Sequence, residues 1–182
     1  MTTPEEVLET TRRWLERAVI GLDLCPFAKA VHARGAIRFV VSDARDAQAL
    51  QAELERELVS LASTPPAEVE TTLLIHPHAL TDFLDYNDFL DVADATLAAL
   101  GLEGEIQVAS FHPAYQYANT SADDASNYTN RSPYPTLHLL REASVESAVA
   151  AHPDVAAIFE RNIETMRKLG PDGWRTLFED EP

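Results

Sequence analysis

His76 and His112 share a context: each follows a run of residues that reads as a buried strand, and each precedes a proline. Proline disfavours the α region for the residue before it, so both histidines are expected in extended backbone at the last pleat of their strands. In an open α/β sheet, ligands gather beyond the carboxyl ends of the strands. Parallel strands would put both imidazoles on that rim, together with His78 and Asp43. An imidazole placed there can serve as a general acid or base, or as a metal ligand. A divalent transition metal held by His76, His112 and a carboxylate is one version of such a site, although no HExxH spacing accompanies it. The competing reading is that His-Pro only stops a strand and opens a turn, a use that His152-Pro153 also suggests.

Three further groups of residues have types suited to chemistry. Cys25 is the single cysteine, which leaves no internal disulfide and no CxxC metal knuckle. If Pro26 opens a short helix, Cys25 stands at its N-cap, where free backbone N–H groups and Lys29 favour a thiolate; a packed structural thiol is the alternative. The segment from His112 to Arg141 holds Tyr115, Tyr117, Asn127, Asn130, Arg131, His138 and Arg141. An arginine among rigid turn residues and tyrosines suits capture of a carboxylate or phosphate, so Arg131 and Arg141 are candidate clamps for a small anionic molecule. Tyr115, Tyr117, Asn127 and Asn130 would complete the binding surface. His112, Arg131, His138 and Cys25 are the candidate catalytic groups. Arg131 could instead tie down the loop by pairing with Asp123, Asp124 or Glu142. Asp82, Asp85 and Asp88 recur every third residue, a pattern explained by helix capping and the helix dipole.

The elements that must position these groups follow from periodicity. Thr3, Pro4 and Glu6 make a capping box at the start of a first helix, whose apolar stripe runs from Val7 through Trp14 to Leu22. A short helix is expected from Pro26 to His32. Strands are expected at 36–42, 70–75, 104–111 and 136–140, with helices at about 47–63, 81–100 and from His152 to Gly170-Pro171. The alternation is α/β: a single domain, core about 4–170, with a central sheet of about four strands in largely parallel βαβαβ order. Ile37, Val41, Leu73, Ile75, Val108 and Phe159 are expected in its core, and the acidic tail 179–182 is expected to fray. Residues 112–135 are too long for an ordinary connection, and their tyrosines, asparagines and prolines argue for an ordered, functional loop.

Composition bounds the partners. In 182 residues, 30 acidic against 14 basic side chains give a formal net charge of −16. No basic cluster exists to displace the counterions of nucleic acid or to meet an anionic membrane surface. No apolar run approaches the ~20 residues that span a bilayer. The N-terminal residues lack a secretory pattern, so a reduced, cytoplasmic setting is expected. No GxGxxG, Walker A, GxSxG or paired CxxC motif occurs.

Several blocks carry a resemblance: LCPFA from Leu24, DYNDFLD from Asp85, FHPAYQY from Phe111, NYTNRSPYP from Asn127 and LHLLRE from Leu137. On these the chain resembles a bacterial conserved-domain family of unknown function, over about residues 10–170. That resemblance implies one domain and assigns no site. The residues themselves point to a small enzyme or ligand-binding protein with a His/Arg/Tyr site at the strand ends, roofed by 112–135. The alternative is a noncatalytic module whose acidic surface meets a basic partner.

Overall fold

The computed structural model describes residues 2–152 and 154–179. The capping box forms as the sequence suggests: the Thr3 hydroxyl accepts the Glu6 amide at 3.2 Å, and the Thr3 amide donates to the Glu6 carboxylate at 2.7 Å. Helix α1 spans Pro4–Trp14 and widens into a π-helical stretch at Leu15–Ile20. A π turn shifts the register of the buried stripe, so Val7, Thr11, Trp14, Leu15 and Ala18 all reach the interior. A short α2 at Ala28–Ala33 follows.

Four strands, β1 (Ile37–Val41), β2 (Thr71–Ile75), β3 (Ile106–Phe111) and β4 (Thr136–Arg141), form one sheet in the order β1-β2-β4-β3. β1 and β2 are parallel, and β4 lies between β2 and β3, antiparallel to both. The sheet is therefore mixed, which corrects the largely parallel order expected from the sequence. Apolar alternation marks strands but not their direction. The long segment after β3 returns the chain antiparallel, into the gap left between β2 and β3. β1, β2 and β3 still point the same way, so Val41, Ile75 and Phe111 end on one edge, level with Thr136 at the start of β4.

Helices α3 (Ala47–Ser63) and α4 (Phe83–Ala99) cover one face of the sheet. Leu50, Leu54, Leu58 and Leu61 pack with Tyr86, Phe89, Ala93 and Leu97 over Leu74, Leu137 and Leu139. Such burial contributes roughly 1.5–3 kcal/mol per large side chain before entropy is charged against it. On the other face Val7 packs with Leu73 and Ile75, and Trp14, Leu15 and Ala18 pack near Ile37, Phe39 and Phe111. Asp46 and Asp82 cap α3 and α4, Asp82 accepting the amides of Leu84 and Asp85. This is the capping role, not a ligand role, for the start of the aspartate series.

Two helical features differ from expectation. Glu142–Ala151 forms α5, which periodicity did not reveal. The last helix, α6 (Val155–Thr176), does not stop at Gly170-Pro171. Gly170 takes φ 67°, and a second helical piece starts at Pro171, where a missing N–H is harmless. Of the expected core, Leu73 and Ile75 are fully buried, and Ile37, Val41 and Val108 are half-buried. Phe159 is 51% exposed, because α6 turns Met166 inward, and its ring meets Tyr117 edge-on. Of the tail expected to fray, 180–182 lie outside the described residues.

Among the described residues, no helix is long and apolar enough to cross a membrane. Arg141, at the far end of β4, holds the exit of α3: its Nη2 lies 2.9, 2.6 and 2.8 Å from the carbonyls of Leu61, Thr64 and Val69. Arg141→Met is expected to cost about 2–3 kcal/mol in urea denaturation, the range for hydrogen bonds to a charged group. A cost under about 0.5 kcal/mol would mean that water replaces these bonds freely.

Candidate functional site

The strand-end histidines lie on one edge, as the parallel direction of β2 and β3 requires, but both are buried. His76 Nδ1–H donates to the Ala79 carbonyl at 2.9 Å, and its Nε2 has no partner among the described residues. His112 Nε2–H donates to the Leu80 carbonyl at 3.2 Å, while its Nδ1 accepts the Ala114 amide at 3.0 Å. Both imidazoles thus hold the turn between β2 and α4, where Leu80 adopts φ 52°, a left-handed conformation costly for a leucine. Burial lowers both pKa values, that of His76 to about 4. Both rings flank Tyr86, with centroids 5.7 and 5.0 Å away. The Tyr86 hydroxyl donates to the Thr136 carbonyl at 2.8 Å and accepts the Phe111 amide at 3.1 Å, joining the end of β3 to the start of β4. Burial pushes its phenol well above the usual range, so it stays neutral.

The loop from His112 to Pro135 is held by its own side chains. The His112 amide donates to the Asn130 carbonyl at 3.2 Å, so the loop folds back over the strand end. Asn127 Oδ1 accepts the Tyr117 amide and the Thr120 hydroxyl, and its Nδ2 donates to Ser121. Asn130 accepts the Tyr117 hydroxyl at 2.6 Å and donates to the Ser110 carbonyl. Arg131 donates from Nε to the Tyr115 carbonyl at 3.2 Å and from Nη2 to that of Ala122 at 2.7 Å. Its guanidinium lies over the Tyr128 ring, 4.3 Å from the centroid. The expected alternative partners, Asp123, Asp124 and Glu142, do not pair with it; Asp124 instead accepts from Ser126.

His112, Arg131, Tyr115, Tyr117, Asn127 and Asn130 are therefore neighbours, and His76 adjoins them through Tyr86. Arg141 sits at the opposite edge of the sheet. His138 lies mid-strand on the α1 face, with Nε2 2.7 Å from the Thr71 hydroxyl. That hydroxyl donates its only proton to the Leu139 carbonyl at 2.6 Å, so Nε2 is the donor and His138 is the neutral Nε2–H tautomer. Burial lowers its pKa to about 4. Cys25 is a half-buried free thiol two residues before Phe27, which takes the N-cap position expected for Cys25. Among the described residues, no three His, Cys, Asp or Glu side chains gather as a metal would need, and both ring nitrogens of His112 are already engaged.

The open space lies beside this cluster. A groove of about 430 Å³ runs between α1, the turn before β4 and the end of α6. Arg13 and Trp14 form one wall, Tyr128, Arg131 and Pro133 another, and Trp174 and Phe178 the third. The Trp14 indole N–H donates to the Arg131 carbonyl at 2.9 Å, fixing two walls to each other. The Arg17 guanidinium donates to the carbonyls of Leu177 and Glu179, holding the third in place.

A family model described as "Protein of unknown function (DUF1415)" matches residues 6–176. The chain belongs to this family. No curated protein matches the chain, and no solved structure does. The DUF1415 match extends past Gly170 and includes Trp174, so the groove's third wall lies partly within the family domain.

Sequence reasoning found Arg131 and the loop but not Arg13, Trp174 or Phe178. Arg13 was hidden on the polar side of the α1 stripe. The signal for the others was available: a proline at 171 can open a helix as well as end one, and Trp174 and Phe178 then recur at i,i+4 on one face.

Proposed function

We propose that this protein binds a small molecule in the groove between α1, the 128–133 turn and the end of α6. The supporting observation is the convergence of two arginines and four aromatic side chains on a 430 Å³ recess at the carboxyl edge of the sheet. That volume falls within the ~300–1,000 Å³ of ordinary ligand sites, and the lining has their mixture of aromatic surface with a few polar groups. Among the described residues the lining offers guanidinium, hydroxyl and aromatic groups, which suit holding a ligand. Ser132 also fits a structural role, since its hydroxyl donates to the Tyr134 carbonyl. The buried histidines then serve as scaffold, holding the turn and the loop on which Arg131 rides.

The test is retention. Purified protein is incubated with a cell-derived small-molecule extract, desalted and unfolded, and the released compounds are read by mass spectrometry beside Trp174→Ala. Compounds retained by the wild type and lost from a folded Trp174→Ala variant are expected. Equal retention by both would remove the groove as the binding site.

A further inference from the structure

We infer that the groove selects a monoanion carried on a flat ring, an aromatic carboxylate; this rests on the binding reading above and specifies its ligand. The charge balance of Arg131 carries the inference. Its Nε and Nη2 bond only to backbone carbonyls, and its face lies on the Tyr128 ring. Carbonyl dipoles and a π cloud orient a guanidinium without cancelling its charge. Among the described residues no carboxylate pairs with it, in a chain of net charge −16 where acids outnumber bases about two to one. Its Nη1 amine makes no hydrogen bond among the described residues and is left for a ligand. A fixed planar donor of this kind matches a planar carboxylate.

The rest of the groove describes the body of the ligand. Trp174 and Phe178 present aromatic surface, and Pro113 and Pro133 add rigid apolar edges. Aromatic side chains favour stacked or edge-on contact with another ring. The field of the whole molecule argues for one charge over two. A surplus of sixteen negative charges repels a dianionic phosphate ester about twice as strongly as a carboxylate, and among the described residues the groove's lining includes no helix N-terminus or glycine loop to offset that.

The chain's two tryptophans are Trp14 and Trp174, and both line the groove, so their indole N–H resonances report on the site without a label. Four probes share one ring: 2-naphthoate, 2-naphthol, 2-naphthyl phosphate and 2-naphthylmethylamine. The expected result is that 2-naphthoate shifts both indole resonances and binds about tenfold or more tightly than each of the others, ~1.4 kcal/mol per decade. The ratio of naphthoate to naphthol affinity should fall toward one in Arg131→Gln. Because Arg131 also anchors the loop, Arg13→Gln is measured in parallel, and the ratio should fall there by a smaller factor. If all four probes bind alike, or the amine or phosphate binds best, the anion class is wrong while the groove stands as a binding site. If no probe moves either indole resonance at millimolar concentration, the binding reading falls together with it. An unchanged naphthoate-to-naphthol ratio in both folded variants would also overturn the assignment.

Discussion

Trp14→Ala should lower stability by about 3–5 kcal/mol, the range for truncating a large buried aromatic side chain. Trp14 is 2% exposed and stands where three parts of the chain meet. Its ring meets Phe111 of β3 edge-on, with centroids 5.3 Å apart. Its cluster includes Leu15 and Ala18 of the π-helical stretch, with Trp174 of α6 and Leu177 and Phe178 just past its end packed against it. Its indole N–H also satisfies the Arg131 carbonyl. Alanine would open a cavity and leave that carbonyl unpaired, two costs that add. Trp14→Phe separates them: most of the apolar contact survives and only the hydrogen bond is lost, so roughly 1–2 kcal/mol is expected. Urea denaturation of both variants measures each. A loss below about 1 kcal/mol for alanine would show that α1 is peripheral to the fold.

The sequence exposed local structure well and relations between elements poorly. Thr3, Pro4 and Glu6 gave the start of α1, because a cap is chemistry between residues three apart. The His-Pro pairs marked the ends of β2 and β3 for the same kind of reason. Nothing local marked β4 as the strand that enters between β2 and β3, since Thr136–Arg141 pairs with partners about 65 and 30 residues away. The role of Arg131 was half legible. Its place among asparagines and prolines announced an anchored guanidinium, but its acceptors, the carbonyls of Tyr115 and Ala122, are backbone atoms that any residue supplies. His76 and His112 looked alike in the sequence and are alike in the structure. Whether an imidazole at a strand end faces solvent depends on what covers it, and Tyr86 and Phe83 come from a helix whose packing angle the sequence does not show.

Acidification below neutrality should destabilise the protein, and His76 should account for a definable part of the loss. Its folded pKa is about 4 against an ordinary 6.5, because burial disfavours the imidazolium. A depressed pKa means that the unfolded chain binds the proton first. The full contribution is present above pH 6.5 and is lost progressively as pH falls toward 4. By linkage the loss for this one group is ~2 kcal/mol at pH 5 and approaches ~3 kcal/mol at its limit. Burial depresses His138 and His112 in the same direction, so the total exceeds the share of one ring. The surplus of acidic groups works the other way, since protonating carboxylates relieves self-repulsion, but their titration centres near pH 4. The window from pH 6.5 to 5 therefore isolates the histidines. Asparagine at position 76 can place its amide nitrogen near the site of Nδ1 and keep the bond to the Ala79 carbonyl while removing the titration. Urea denaturation between pH 7.5 and 5 should show the wild type losing several kcal/mol and His76→Asn losing about 2 kcal/mol less over the same range. Stability that stays level across that window, or a variant whose pH dependence parallels the wild type, would mean that the His76 imidazole takes its proton in the folded protein as readily as in water.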